Sequence, residues 1–108
     1  MKVLIHKIAK KYLARLPQPD KARIEKAIEG LEHDPPQGDI RQYVGSPDMW
    51  RLKEGDYRIL YRIILIPDPE QEANTESGKE PELVKAIKVS HIEPRGQAYA
   101  RKTKNKRG

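Results

Sequence analysis

Residues 50 to 62, WRLKEGDYRILYR, constrain the fold more than any other stretch of the chain. Apolar and charged residues alternate along both halves, which is the period of a β-strand with one buried face. Either Glu54-Gly55 or Gly55-Asp56 can form a tight two-residue turn between the halves. In both registers Arg58 faces an odd-numbered cation of the first half, Arg51 or Lys53, and facing residues project from the same side of the sheet. One side therefore carries Arg51, Lys53, Arg58, Leu60 and Arg62, and the other Trp50, Leu52, Tyr57, Ile59, Tyr61 and Ile63. A three-residue bulged turn would mix cations among the aromatics, so the clean separation selects the two-residue turn. Like charges facing each other weaken a hairpin slightly. Such a face is tolerated either because solvent screens it or because an anion binds there, and spacing alone leaves both readings open.

The apolar side of this hairpin needs a cover, and the N-terminal third supplies one. VLI at 3 to 5 reads as an opening strand. Ile5, Ile8, Ala9, Tyr12, Leu13 and Leu16 then fall at helical spacing, with Lys7, Lys10, Lys11 and Arg15 opposite. Pro17-Gln18-Pro19 stops that helix, and Asp20 is expected to cap a second whose stripe is Ile24, Ala27, Ile28 and Leu31. It ends before His33-Asp34-Pro35-Pro36. Residues 37 to 48, with Gly38, Gly45 and Ser46-Pro47, read as a loop. After the hairpin, residues 67 to 81 have the composition of a mobile acidic loop. ELVKAIKVSHI at 82 to 92 is a third β-type run, which Pro94 keeps from continuing easily. RGQAYARK reads as a short helical turn and 101–108 as a basic tail. The order β-α-α-β-β-β predicts one α+β domain over 1–108, with two helices on one face of a small, mostly antiparallel sheet.

Charge distribution narrows the partners. The chain has a net charge of +6. Residues 68 to 82 hold six acids against the single Lys79, a net of −5, so the remainder stands at +11. A body that basic favours a polyanion, either nucleic acid or an acidic protein, although basic surface also serves solubility alone. The absence of Cys excludes a disulfide frame, a thiol nucleophile and a cysteine metal site. His6, His33 and His91 lack partners at metal-ligand spacing. There is no phosphate-binding glycine loop and no nucleophile elbow. No metal or cofactor is expected. Lys and His interrupt the first 16 residues, so they do not read as a signal peptide, and no stretch is apolar enough to span a membrane; a soluble, cytoplasmic protein is expected.

WRLKEGDYRILYRI resembles the signature hairpin of the RelE/ParE superfamily of toxins from bacterial and archaeal toxin–antitoxin pairs. GSPDMW resembles the loop into that hairpin, Leu31-Glu32-His33-Asp34-Pro35 the end of the family's second helix, and IEPRGQAYAR its closing arginine-and-tyrosine segment. The resemblance covers the chain except the acidic loop and the tail, and leans toward the RelE branch. It implies a toxin neutralised by a cognate antitoxin. RelE-like members cut messenger RNA in the ribosomal A site; ParE-like members poison DNA gyrase without that chemistry. By position, Arg51 and Lys53 match two basic residues of the first signature strand and Arg58 the arginine after the tyrosine of the second. Arg95 and Tyr99 match the arginine and tyrosine of the closing segment.

The resemblance thus implies a metal-independent endoribonuclease acting on mRNA at the ribosome, with Arg51, Lys53, Arg58, Arg95 and Tyr99 as its catalytic set. Arg58 and Arg51 would hold the phosphate, Lys53 would approach the role of proton acceptor, Tyr99 would stack on a base or orient the 2′-OH, and Arg95 would stabilise the leaving oxygen or bind backbone. Two departures stand out. Several cleaving relatives carry a further Arg or His immediately before the closing arginine, where this chain has Glu93-Pro94, and the 67 to 81 insertion is long. Two other readings therefore stand beside the first: a gyrase-binding toxin, and a non-catalytic nucleic-acid-binding module.

Overall fold

Each helix has a single apolar stripe, so both must lie against something, and the one apolar sheet face is what receives them. The computed structural model describes residues 1–72 and 80–94. Strand β1 (Lys2–Ile5) leads into helix α1 (Lys7–Arg15) and then helix α2 (Asp20–Gly30). Strands β2 (Asp39–Gln42), β3 (Trp50–Glu54) and β4 (Tyr57–Pro67) follow, then a short helix α3 (Pro69–Glu72) and strand β5 (Leu83–Pro94). They form one sheet in the order β1-β5-β4-β3-β2, with β1 parallel to β5 and every other pair antiparallel. The architecture is the expected α+β one, enlarged by a strand.

That extra strand corrects the reading of 37 to 48 as loop. Asp39–Gln42 pairs with β3, placing Ile40 opposite Leu52 against the core and Arg41 opposite Arg51 on the far side. Four residues give too short an alternation to be seen in the sequence, but they cover the edge that β3 would otherwise expose. The connection back to β3 is tied by the Tyr43 N–H donating to the Met49 carbonyl (2.8 Å) and the Gln42 amide donating to the Pro47 carbonyl (2.9 Å).

The core lies between helices and sheet. Ala9 and Leu13 of α1 and Ile24, Ile28 and Leu31 in and after α2 meet Leu52, Ile59, Tyr61, Ile87, Val89 and Ile92 from the sheet. Ile8, expected in the buried stripe, sits at the start of α1 and is 61% exposed. The caps also differ from expectation. Asp20 is the first residue of α2 rather than its cap, and Gln18 Oε1 accepts the Ala22 N–H instead (3.2 Å). His6, an uncommon capping residue, starts α1 by accepting the Ile8 N–H through Nδ1 (3.1 Å).

The acidic insertion opens with α3, whose first turn is held by the Glu70 N–H donating to Asp68 Oδ1 (3.0 Å). Its residues 73 to 79 lie outside the described residues. So do the closing helical turn and the basic tail. β4 and β5 run past the helix layer, leaving Ile63, Leu65 and Leu83 exposed.

A bulge in β5 governs the site. Leu60 pairs with His91 but Tyr61 pairs with Val89, so Ser90 is an extra residue on β5. Strict alternation from Val89 would have sent His91 toward the helices and Ile92 outward. With the extra residue, Val89 and Ile92 both face the core, while His91 and Glu93 turn to the opposite side.

Candidate functional site

The turn between β3 and β4 decides which cations meet. Glu54 pairs with Tyr57, leaving Gly55-Asp56 as the two-residue turn. Gly55 has φ +57° and no other residue type in the described chain has positive φ, the pattern of a turn with glycine at its first central position. Lys53 therefore faces Arg58, and Arg51 faces Leu60. The even register is the expected one, and Arg51, Lys53 and Arg58 share the sheet face turned away from the helices.

On that face two neighbouring rungs differ in charge. At the turn end, register places Asp39, Lys53, Arg58 and Glu93 side by side across β2, β3, β4 and β5. Acids flank bases, and Arg58 Nη2 lies 3.1 Å from Glu93 Oε1, with the two side chains 28% and 36% exposed. One rung along, the same strands present Arg41, Arg51, Leu60 and His91, with no acid among them.

Leu60 was expected on an open face, yet it is only 5% exposed. Its neighbours there are Arg51 and His91 across the strands and Arg58 and Arg62 two residues away along β4. Long aliphatic stems lying over an apolar side chain account for its burial. The Nε atoms of Arg51 and Arg58 are themselves covered and have no hydrogen-bond partner. Leu60 is thus enclosed among the long side chains around it rather than lying on a bare sheet.

The helix side fixes this layer from behind. The Tyr57 hydroxyl donates to Asp20 Oδ2 (2.7 Å), tying the first residue of β4 to the first of α2. That hydrogen bond, with burial and the Asp20 charge, pushes Tyr57 up to about 12. Burial alone pushes Tyr61 up to about 12. Tyr12 is also raised, by burial first and then by the Glu93 charge. All three stay protonated near neutral pH, so none supplies a phenolate base.

Of the five residues singled out from sequence, the structure brings together Arg51, Lys53 and Arg58. Arg95 and Tyr99 lie outside the described residues. Two participants were missed. Arg41 lay in a stretch read as loop; Asp39-Ile40-Arg41 between Gly38 and Gly45 was its only signal. The partnership of Glu93 with Arg58 depends on the Ser90 bulge, which no residue in the run announces. His91 is exposed on the cationic face opposite Leu60. Among the described residues no cluster of His, Asp or Glu could hold a metal ion, and no helix is long and apolar enough to cross a membrane. A cleft of about 710 Å³ runs between the end of α2 and the β2–β3 edge, lined by residues that include Lys26, Gly30, His33, Gln37, Leu52 and Lys53.

Residues 3–75 match the family described as ParE toxin of type II toxin-antitoxin system, parDE. That span contains Arg41, Arg51, Lys53 and Arg58 and stops short of β5. No curated protein and no solved structure matches the chain.

Proposed function

The chain belongs to the ParE toxin family of type II toxin–antitoxin systems; within it we propose, from the cations gathered on the sheet and not from the family description, a ribosome-dependent endoribonuclease working from that cationic face. A toxin of this kind has a cognate antitoxin as its partner. The observation that carries the catalytic reading is the gathering of Arg51, Lys53 and Arg58 on one face at facing and neighbouring positions. β5 ends at Pro94 opposite Tyr57, beside the same turn, and Arg95 follows directly in the chain.

Metal-free cleavage needs three things of such a site. The 2′-OH of one nucleotide attacks the adjacent phosphorus, forming the P–O2′ bond as the P–O5′ bond breaks. A proton leaves O2′ and one arrives at O5′, giving a 2′,3′-cyclic phosphate and a free 5′-OH. Arg51 and Arg58 hold the phosphoryl oxygens, where added negative charge is stabilised by guanidinium forks. Lys53, facing Arg58, receives the proton of the 2′-OH. Tyr99 stacks on a base or orients the attacking hydroxyl, Arg95 stabilises charge on the leaving O5′, and solvent water supplies that oxygen's proton. Glu93 must release Arg58 for this to happen.

The ParE family match and the Glu93–Arg58 ion pair both favour a second reading, a toxin that binds DNA gyrase with its cations serving recognition. The test is induction of the chain without its antitoxin, alongside Lys53→Ala, Arg58→Ala and Tyr99→Phe. Transcripts cut within codons, and losses of about 10²-fold or more in the variants, support cleavage. Broken DNA with intact messages supports the gyrase reading. Unimpaired growth leaves a non-catalytic nucleic-acid-binding protein.

A further inference from the structure

The cationic face extends well beyond the three residues of the proposed catalytic set. Continuing the register across β5 and β1 places Arg62 opposite Lys88, Lys88 beside Leu4, and Lys2 beside Ala86 on this same side. Arg41, Arg62, Lys88 and Lys2 are all exposed. The acids of the face stand only at its margins, Asp39 and Glu93 at the turn end and Asp68 and Glu82 beyond the other end of β4 and β5. Between them runs a band whose described charges are all positive. It starts at the facing pair Arg41 and Arg51, passes Arg62 and Lys88, and ends at Lys2. From strand spacing and rise it spans about 23 Å diagonally.

Two observations set this band apart from ordinary solvated surface. The Arg58–Glu93 ion pair lies in the neighbouring rung and not in this band. Arg41 and Arg51 face each other directly without a counterion, the arrangement that weakens a strand pair unless an anion joins it. Arg51, like Arg58, also keeps its Nε covered and without a hydrogen-bond partner, an unmet donor that an oxyanion would satisfy. The main core forms on the helix side without these cations, and on their own face they enclose only Leu60.

We infer that Arg41, Arg51, Arg62 and Lys88 form a binding track for the phosphodiester backbone of a single-stranded RNA, laid obliquely across the sheet from β2 toward β1. The self-neutralised rung of Asp39, Lys53, Arg58 and Glu93 flanks the track and contributes little to affinity. This rests on the endoribonuclease reading for the identity of the strand, and it assigns Arg41, Arg62 and Lys88 to holding the strand rather than cutting it. A single strand fits better than a duplex because the band is one rung wide and follows one backbone.

The experiment titrates the full chain with a fluorescent 2′-O-methyl oligouridylate, which has no 2′-OH and is not cut, between roughly 50 and 200 mM salt. Each backbone phosphate neutralised adds about 0.7 to the steepness of log K against log salt. Arg41→Gln/Arg62→Gln is expected to lower that steepness by about 1.4 and affinity at 0.1 M salt by about 25-fold. Arg41→Lys/Arg62→Lys is expected to keep the steepness, which separates charge from misfolding. Lys53→Gln/Arg58→Gln is expected to lower it by less than about 0.7. An unchanged slope in the Arg41/Arg62 glutamine variant overturns the track, as does binding through these residues only to duplex DNA or to an acidic peptide. Transcript cleavage at the ribosome is scored separately. A strand bound through the track but never cut removes the endoribonuclease reading and leaves the track; cut transcripts with an unaltered slope do the reverse.

Discussion

Replacing Glu93 with Gln separates what the Arg58 ion pair does for the fold from what it does to the site. Both side chains are partly exposed, so solvent screens the pair, and its loss is expected to cost at most about 1 kcal/mol of stability. The carboxamide has nearly the same size and sits at the margin of the sheet rather than in the core. For an incoming phosphate the effect is opposite and larger in consequence. Glu93 occupies the guanidinium that a phosphoryl oxygen needs, and releasing it adds one cation to those available. On the single-strand scale that is a steepening of log K against log salt by about 0.7, and about fivefold tighter binding at 0.1 M salt. Thermal unfolding measures the first quantity, and titration with the uncleavable oligouridylate at several salt concentrations the second. Unchanged or weaker binding with an unchanged slope would refute the claim that Glu93 competes with phosphate. A stability loss above about 2 kcal/mol would show instead that the pair is a structural strut. Faster ribosome-dependent cleavage in the variant is expected if Arg58 is a catalytic group.

Further outcomes follow from the packing. Ile59 is fully buried opposite Leu52 and Ile92, so Ile59→Ala is expected to cost about 3 kcal/mol and more than about 10 °C in thermal midpoint; a loss under about 1 kcal/mol would contradict the core assignment. Tyr57→Phe removes the bond to Asp20 and is expected to cost about 1 kcal/mol at neutral pH, its partial exposure keeping the figure low. Because Tyr57 is held up to about 12 in the folded chain against 10.0 unfolded, its contribution is complete below pH 10 and lost as pH climbs to about 12. Denaturant titrations of wild type and Tyr57→Phe should converge across that window, and parallel curves would refute the linkage. Gly38→Ala sets a Cβ about 2.5 Å from Leu52 Cδ1 at φ +134°, and is expected to destabilise by about 1–3 kcal/mol in chemical denaturation; a neutral effect would show that β2 shifts freely.

How far the sequence disclosed this molecule depended on the length of each pattern. The β3–β4 hairpin was legible because 13 residues alternate around a glycine, and the wrong register would bury cations. Both helices were legible from their stripes, although α1 is capped by His6, a residue type seldom used there. β2 was not legible, because four residues between two glycines carry too little periodicity, and with it went Arg41. Asp20 was misread for a different reason. An acid before a helical stripe ordinarily caps, but here Tyr57 brings it a hydrogen-bond donor from 37 residues away. Glu93 was visible as an acid where the resemblance led one to expect a base, yet its contact with Arg58 needed the Ser90 bulge, a tertiary adjustment that keeps Val89 and Ile92 both in the core. Leu60 showed the limit of parity itself. Alternation assigned its face correctly, while its burial came from arginine stems that a one-dimensional pattern does not describe.

The parallel pairing of β1 with β5 also imposes a schedule on synthesis. Lys2 finds its place beside Ala86, so β1 must wait for β5. At about 5–20 residues per second, the 84 residues from Val3 to Ala86 take roughly 4–17 s to emerge. During that time Val3 and Ile5 have no β5 to lie beside, and the hairpin bearing Arg51, Lys53 and Arg58, made later, lacks until β5 follows the neighbour that carries Lys88 and Glu93. The nascent chain therefore presents a loose β1 and, once the hairpin is made, a bare β4 edge, a window in which a partner made nearby can reach it before β5 completes the sheet.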